Sequence, residues 1–189
     1  MAVRTSLVIT LVGEDRPGIV DAISAIVLAA GANWEESRMA RLAGKFAGIL
    51  RITIDAAAAA ELARALTALD AHGLRVVVEA SAAAPSQDFR TIELELVGHD
   101  RPGIVREIAR VLADAGVNIE EFESELTSAP DSGDVLFRGR ARLRTPAHVA
   151  PETLRSALEA VANDLMVDLM LGDPGQPYNA RDSSVLSRS

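Results

Sequence analysis

The chain has 189 residues, 49% of them hydrophobic and none of them cysteine, and its formal net charge is −8. This composition excludes a disordered chain, a disulfide framework and a thiolate metal site, and the acidic charge disfavours direct binding to nucleic acid. Because no run approaches ~20 apolar residues and no apolar block follows a basic start, we expect a cytoplasmic protein without a membrane span.

A ten-residue segment occurs twice, and this repeat organises the chain. Residues 11–20 and 96–105 are identical at nine of ten positions, and only Glu14 and His99 differ. Further matches continue at the same offset of 85 residues, such as Asn33 with Asn118. Internal similarity of this length indicates two copies of one folding unit.

The repeat predicts the domain organisation. One domain occupies residues 1–80, and a second occupies residues 89–172. Residues 81–88, which are mostly small and include one proline, have the composition of a linker. Residues 173–189 lack periodicity, and we expect them to form a disordered tail.

The first copy begins with a strand and a helix. Alternating Leu7, Ile9 and Leu11 predict a strand with one buried face, and apolar residues at helical spacing then predict a helix that closes at Gly31. The remaining elements are a strand, a strand, a helix and a strand, at 34–42, 46–54, 56–72 and 74–80. Asp55 is a candidate cap for the second helix.

The second copy repeats this order. Ile92, Leu94 and Leu96 alternate with glutamates, and a helix with an apolar stripe follows. Two strands, a helix with Pro151 in its first turn and a last strand are predicted at 119–127, 135–144, 151–163 and 165–171. Both copies therefore predict an α+β, ferredoxin-like βαββαβ fold. In this fold, a four-stranded antiparallel sheet in the order 4-1-3-2 carries two helices on one face.

Four arginines alternate with apolar or small residues on the third strand of the second copy: Arg138, Arg140, Arg142 and Arg144. The predicted strand order places them between glutamates of the first strand (Glu93, Glu95) and glutamates of the second (Glu121, Glu123, Glu125). We therefore expect a cross-strand charge ladder that neutralises itself. A polar surface that faces a partner and a nucleic-acid stripe are the alternatives.

The sequence contains no recognisable catalytic, cofactor or metal site. Its histidines, His72, His99 and His148, lie in separate segments without metal-ligand spacing, and no nucleophile elbow, phosphate loop or dinucleotide fingerprint is present. The adjacent carboxylates of Glu35 and Glu36, and those of the matching pair in the second copy, are expected on opposite faces of a strand. An enzyme is therefore not predicted.

The repeated loop between the first strand and the first helix is the candidate binding element. Its Pro-Gly pair is open to a purely structural interpretation, a turn followed by a helix start. Alternatively, glycine admits a ligand to the backbone, helix amides receive a carboxylate, and Asp15 or Asp100 accepts an ammonium group. Asn33 and Asn118 offer a donor and an acceptor, although both also suit turns.

These residues carry a resemblance to a known family. Two βαββαβ units, each with a Gly-x-Asp-Arg-Pro-Gly-Ile-Val loop, resemble tandem ACT domains over residues 4–172. Segments 36–48 and 98–107 are similar to the glycine cleavage system transcriptional repressor family. The resemblance implies a non-catalytic regulator that contacts a transcriptional activator rather than DNA, with glycine or serine as the expected ligand.

The resemblance also implies which residues bind a ligand. ACT domains bind amino acids where domains meet, through the loop after the first strand. Carried over to this sequence, the candidates are Asp15, Pro17, Gly18, Ile19, Asn33, His99, Asp100, Pro102, Gly103, Ile104 and Asn118. Because Glu14 is replaced by His99 in the second copy, the two sites are not expected to be equivalent.

Two other functions remain open from the sequence. The chain is alternatively a regulatory subunit that controls an enzyme of amino-acid or one-carbon metabolism, or an oligomerisation module that binds no small molecule. Val8 and Val12 lie on the side of the first strand that faces away from the predicted helices, and their apolar side chains favour a homodimer.

Overall fold

The computed structural model describes residues 3–81, 88–129 and 133–172. The chain divides into two compact units, Met1–Pro85 and Ser86–Ser189. The expected tail, and most of the expected linker, lie outside the described residues. Among the residues that are described, no helix is long and apolar enough to cross a membrane.

The first unit has the predicted order of elements. Its strands and helices are β1 (Arg4–Glu14), α1 (Ile19–Ala29), β2 (Asn33–Leu42), β3 (Lys45–Asp55), α2 (Ala59–Thr67) and β4 (Leu74–Ala80), with a 3₁₀ helix (Ala68–His72) between the last two. The helix α1 ends where predicted, because Gly31 takes a φ of 68° that favours glycine.

The second unit repeats this order. Its elements are β5 (Phe89–His99), α3 (Ile104–Asp114), β6 (Asn118–Ser128), β7 (Val135–Pro146), α4 (Pro151–Leu165) and β8 (Val167–Gly172). Pro151 occupies the first turn of α4, where its missing N–H has no intrahelical acceptor to lose.

Each unit contains one four-stranded sheet, and every neighbouring pair of strands is antiparallel. The orders are β2-β3-β1-β4 and β6-β7-β5-β8. These are the predicted 4-1-3-2 order, so the ferredoxin-like fold is confirmed. In both units the third strand, β3 or β7, lies between the first and second strands of its unit.

The core of each unit lies between its sheet and its two helices. In the first unit, Ile9 and Ile52 of the sheet and Ile23 of α1 are fully buried. In the second unit, Leu143 of the sheet and Leu158 of α4 are fully buried. Burial of such branched aliphatic side chains is the main favourable contribution to folding, and it fixes which face of each sheet points towards the helices.

Two predicted elements have different boundaries in the structure. The helix predicted at 56–72 is shorter, because the Asp55 carboxylate accepts the Ala57 N–H at 3.0 Å within a turn, and α2 begins only at Ala59. The residues after Thr67 tighten into a 3₁₀ helix, as helix ends often do. The strand predicted from 165 begins at Val167, because the buried Leu165 still belongs to α4.

The first glycine of the repeated loop is required by packing. A Cβ atom placed at Gly13 would lie 2.5 Å from the Gly73 carbonyl oxygen, and one at Gly98 would lie 2.9 Å from the Met166 carbonyl oxygen. Both obstacles are backbone atoms at the start of the last strand, and they cannot rotate away as a side chain would. This half of the motif therefore has a structural role.

We predict that Gly98→Ala destabilises the protein by about 1–3 kcal/mol, because the added methyl group overpacks the contact between β5 and β8. Gly172→Ala is the matched control in the same unit, since a Cβ atom at Gly172 would meet no atom within 4 Å. Its effect is expected to stay within about 0.5 kcal/mol. Urea unfolding followed by circular dichroism measures both variants, and equal midpoints would contradict the packing argument.

Candidate functional site

The repeated loop ends in a glycine that starts the next helix. Gly18 and Gly103 have φ values of 90° and 105°, and each is the residue directly before α1 or α3. Glycine has no side chain to cap the helix, and no side-chain cap is present among the described residues, so the N–H groups of the first turn are not occupied by a cap. Such N–H groups, together with the helix dipole, attract a carboxylate.

The other candidate loop residues differ in the solvent exposure of their side chains. Pro17 and Pro102 are exposed, whereas the side chains of Ile19 and Ile104 are 4% and 2% exposed and belong to the two cores. Only the backbone amides of these isoleucines can therefore contact a ligand. The sequence alone did not separate these two roles.

An arginine of each loop contacts a backbone carbonyl in the segment just before the last strand of its unit. Arg16 donates a hydrogen bond to the His72 carbonyl at 3.2 Å, and Arg101 lies 3.5 Å from the Asp164 carbonyl. These contacts orient the arginines towards the protein.

The two aspartates have different surroundings. The Asp15 carboxylate forms an ion pair of 2.6 Å with Arg41, and Glu14 beside it pairs with Lys45. In the second unit, Leu126 replaces Arg41 at the matching position. Asp100 has no ion pair or side-chain hydrogen bond with any residue in the described ranges.

The asparagines lie far from the loops of their own units. Asn118 pairs across the sheet at the level of Thr91, whereas the loop follows His99, eight positions further along β5. At ~3.3 Å per residue, this separates the two ends by about 26 Å. The same spacing separates Asn33 from its loop. The structure therefore does not bring loop and asparagine together within one unit.

The charge ladder of the second unit is confirmed for Arg140 and Arg142, whereas Arg138 has a glutamate on one side only and Arg144 lies between Thr91 and Asn118. Arg140 lies opposite Glu95 on one side and Glu123 on the other, and Arg142 lies between Glu93 and Glu121. Ion pairs join Arg140 to Glu95 at 2.9 Å and Arg142 to Glu121 at 3.1 Å. The ladder covers the face of the sheet that no helix of its unit covers, and it neutralises most of the attraction of the arginines for phosphate.

The prediction that adjacent glutamates point to opposite faces was wrong. A β-bulge interrupts β2 between Trp34 and Glu36, and Arg51 lies 3.5 Å from Glu35 and 3.6 Å from Glu36. The extra residue of the bulge turns both carboxylates to the outer face. The Arg38 guanidinium, which hydrogen-bonds Glu36 at 2.6 Å, holds the pKa of that carboxyl below its ordinary value.

The outer sheet face of the first unit has apolar side chains where the second unit has its ladder, although the two sheets share the same register. Ile49 occupies the position of Arg140, and Thr10 occupies the position of Glu95. Val12, Ile49 and Val77 remain 43%, 47% and 49% exposed. The sequence prediction placed Val8 and Val12 on this face but missed Ile49 and Val77, which the period-2 pattern of β3 and β4 could have added.

Two segments of the chain, residues 5–79 and 92–138, match the ACT domain family. Over 161 residues the chain is 26% identical to the glycine cleavage system transcriptional repressor of Escherichia coli (strain K12), covering 84% of this chain and 85% of the repressor.

Crystal structures extend this likeness. An unknown protein from Galdieria sulphuraria has 34% identity and a TM-score of 0.79, with 89% of this chain and 98% of that chain covered. A candidate glycine cleavage system transcriptional repressor has 21% identity and a TM-score of 0.67, with 90% and 98% covered. At 21% identity, the second comparison establishes the shared fold.

We predict that the ion pairs of the ladder prevent this protein from binding polyanions. A variant in which Glu93, Glu95, Glu121 and Glu123 become glutamine is expected to bind a heparin column at about 0.1 M salt, because its arginines are no longer neutralised. In the control variant, four glutamates outside the ladder are replaced by glutamine: Glu61, Glu79, Glu152 and Glu159. The control and the unmodified protein are expected in the flow-through, and retention of either one would contradict the prediction.

Proposed function

The chain belongs to the ACT-domain family, with two copies in tandem, and on that premise we propose that it is a cytoplasmic, non-catalytic regulator. It senses a free amino acid and transmits the signal by contact with a partner protein. The similarity to a transcriptional repressor supports the regulatory part of the proposal. Within the described ranges, no cluster of side chains could hold a metal ion.

The observation that carries the proposal is the loop of the second unit. Three residues separate Asp100 from the first residue of α3, so that an acceptor for ammonium lies close in the chain to donors for carboxylate. A free amino acid presents both groups within a few bonds. Gly103 leaves the backbone open to it, since a Cβ there would meet no atom within 4 Å.

The first loop is a weaker candidate for the same chemistry. An ammonium group would have to displace Arg41 from Asp15, and the adjacent Glu14 is already paired with Lys45. Asn33 and Asn118 stay in the proposed ligand set, but each lies about 26 Å from its own loop. Neither asparagine can therefore contact a ligand bound at the loop of its own unit.

Glycine and serine are the first ligands to test. The relative found by sequence is named for glycine cleavage, and small amino acids place least demand on the space above the loop. The partner is proposed to be a protein, a transcriptional activator in particular. The ion-paired ladder and the net charge of −8 both oppose direct contact with DNA.

We predict that isothermal titration with a panel of amino acids, glycine and serine first, detects binding that depends on Asp100. Asp100→Asn is expected to weaken the affinity about tenfold or more, because it removes a charge-assisted hydrogen bond. Asp15→Asn is the matched control from the other copy, and its effect is expected to stay below about twofold.

Absence of binding for every amino acid, with circular dichroism showing a folded protein, would contradict the sensor function. Equal losses in Asp100→Asn and Asp15→Asn would retain the sensor but reject the second loop as its main site. Gly103→Ala provides an independent check and is also expected to weaken ligand binding. The positive φ of Gly103 disfavours any side chain there, so the loop has to distort.

We also propose that the chain is a homodimer and that Val12, Ile49 and Val77 on the outer face of the first unit form the contact. Branched side chains there remain nearly half exposed and lie in adjacent rows of one sheet surface. Contiguous apolar surface of this kind is typical of an interface, and a twofold axis allows one surface to pair with itself.

We predict that Thr10→Glu/Ile49→Arg converts the dimer to a monomer, because it rebuilds in the first unit the Glu95–Arg140 pair of the second. The new side chains can neutralise each other within the sheet, so folding is expected to survive. Leu28→Arg, on an exposed position of α1, is the control. Sedimentation velocity at about 50 μM distinguishes the species, and a monomeric starting protein would contradict the interface.

A further inference from the structure

The second unit contains an apolar cavity of about 150 Å³ on the helix side of its sheet, between α3 and β6. Leu94 and Ala141 form its floor on the sheet, Leu112 lines it from α3, and Ile119 and Phe122 line it from β6. Every residue that lines the cavity is apolar. The cavity is separate from the ladder, which covers the opposite face of the same sheet.

The cavity coincides with two positions at which the second copy has smaller side chains than the first. Ala141 pairs with Leu94 and Phe122, as Leu50 pairs with Ile9 and Ser37 in the first unit. Leu50 is 1% exposed in the first core. The second copy thus has a smaller side chain on β7 at this point, although its cross-strand partner Phe122 is larger than Ser37.

The second position lies on the neighbouring strand. Ile119 pairs with Leu143 as Trp34 pairs with Ile52, and Trp34 packs against the first core. Replacement of an indole by a smaller aliphatic group removes further volume from the same corner. An unfilled apolar space destabilises a protein, because its lining loses contacts.

The cavity has an apolar entrance. Val105 in the first turn of α3 and Phe122 on β6 both line it and are 45% and 38% exposed. In the first unit the position of Phe122 is occupied by Ser37. A group that enters between the helix and the strand therefore meets apolar surface from the outside inwards.

We infer that this cavity binds an uncharged aliphatic or small aromatic group of about the size of a leucine side chain. Its volume and lining match those of apolar cavities that stay dry and accept such molecules. No lining group can pair with a charge, so a charged part of the ligand has to remain outside the entrance. The group belongs either to a free apolar molecule or to the side chain of a free amino acid.

The test is methyl NMR of the full chain labelled at isoleucine, leucine and valine, titrated separately with benzene, L-leucine and glycine. Benzene is expected to shift the methyl signals of Leu94, Leu112 and Ile119 saturably. Ala141→Leu restores the side chain of the first copy and is expected to weaken this binding tenfold or more. Ile119→Trp fills the same space from the other strand and serves if Ala141→Leu does not fold.

The outcomes separate the two sources. If L-leucine shifts the same signals and glycine does not, the bound group is the side chain of an amino acid. If only benzene shifts these signals, the bound group is a free apolar molecule. Both results support the cavity as a site. The inference is overturned if benzene leaves the cavity signals unchanged, or if it shifts them equally after the cavity has been filled.

Discussion

Burial of one face of each sheet under two helices is the constraint on which the rest of this structure depends. The alternating side chains of β1 and β5 are committed to the core by this burial, and a slip of one residue would turn all of them to solvent. Because the helices of a unit cover only one face of its sheet, the opposite face is free to change. The two copies differ on that face, whereas the loop before the first helix has nearly the same sequence in both.

The divergence gives each unit a distinct surface on one shared backbone. At matching register positions, the first unit has Ile49 and Thr10 where the second has Arg140 and Glu95. The two loops have nearly the same sequence but different surroundings, since Asp15 is paired with Arg41 while Asp100 has no such pair among the described residues. Assembly is therefore proposed for the first unit, and ligand binding for the second.

The parts of this arrangement that could be predicted are those fixed by periodicity. Alternation along β5 and β7, together with the strand order, was enough to place Arg140 and Arg142 between glutamates. The bulge beside Glu36 could not be predicted in this way, because an extra residue in a strand leaves no compositional signal. The Asp15–Arg41 pair and the cavity at Ala141 depend on side chains from several elements meeting in space. The distance of Asn118 from its loop, by contrast, already followed from the predicted topology.

Hydrogen–deuterium exchange of the full chain tests most directly the claim that the two copies have separate roles. The measurement compares dilute with concentrated protein, and free protein with protein saturated by the amino acid that calorimetry selects. Raising the protein concentration is expected to slow exchange only in β1, β3 and β4. Adding the ligand is expected to slow exchange only in the loop and first helical turn around Gly103. Changes of equal size in both units, for either comparison, would contradict the division of roles.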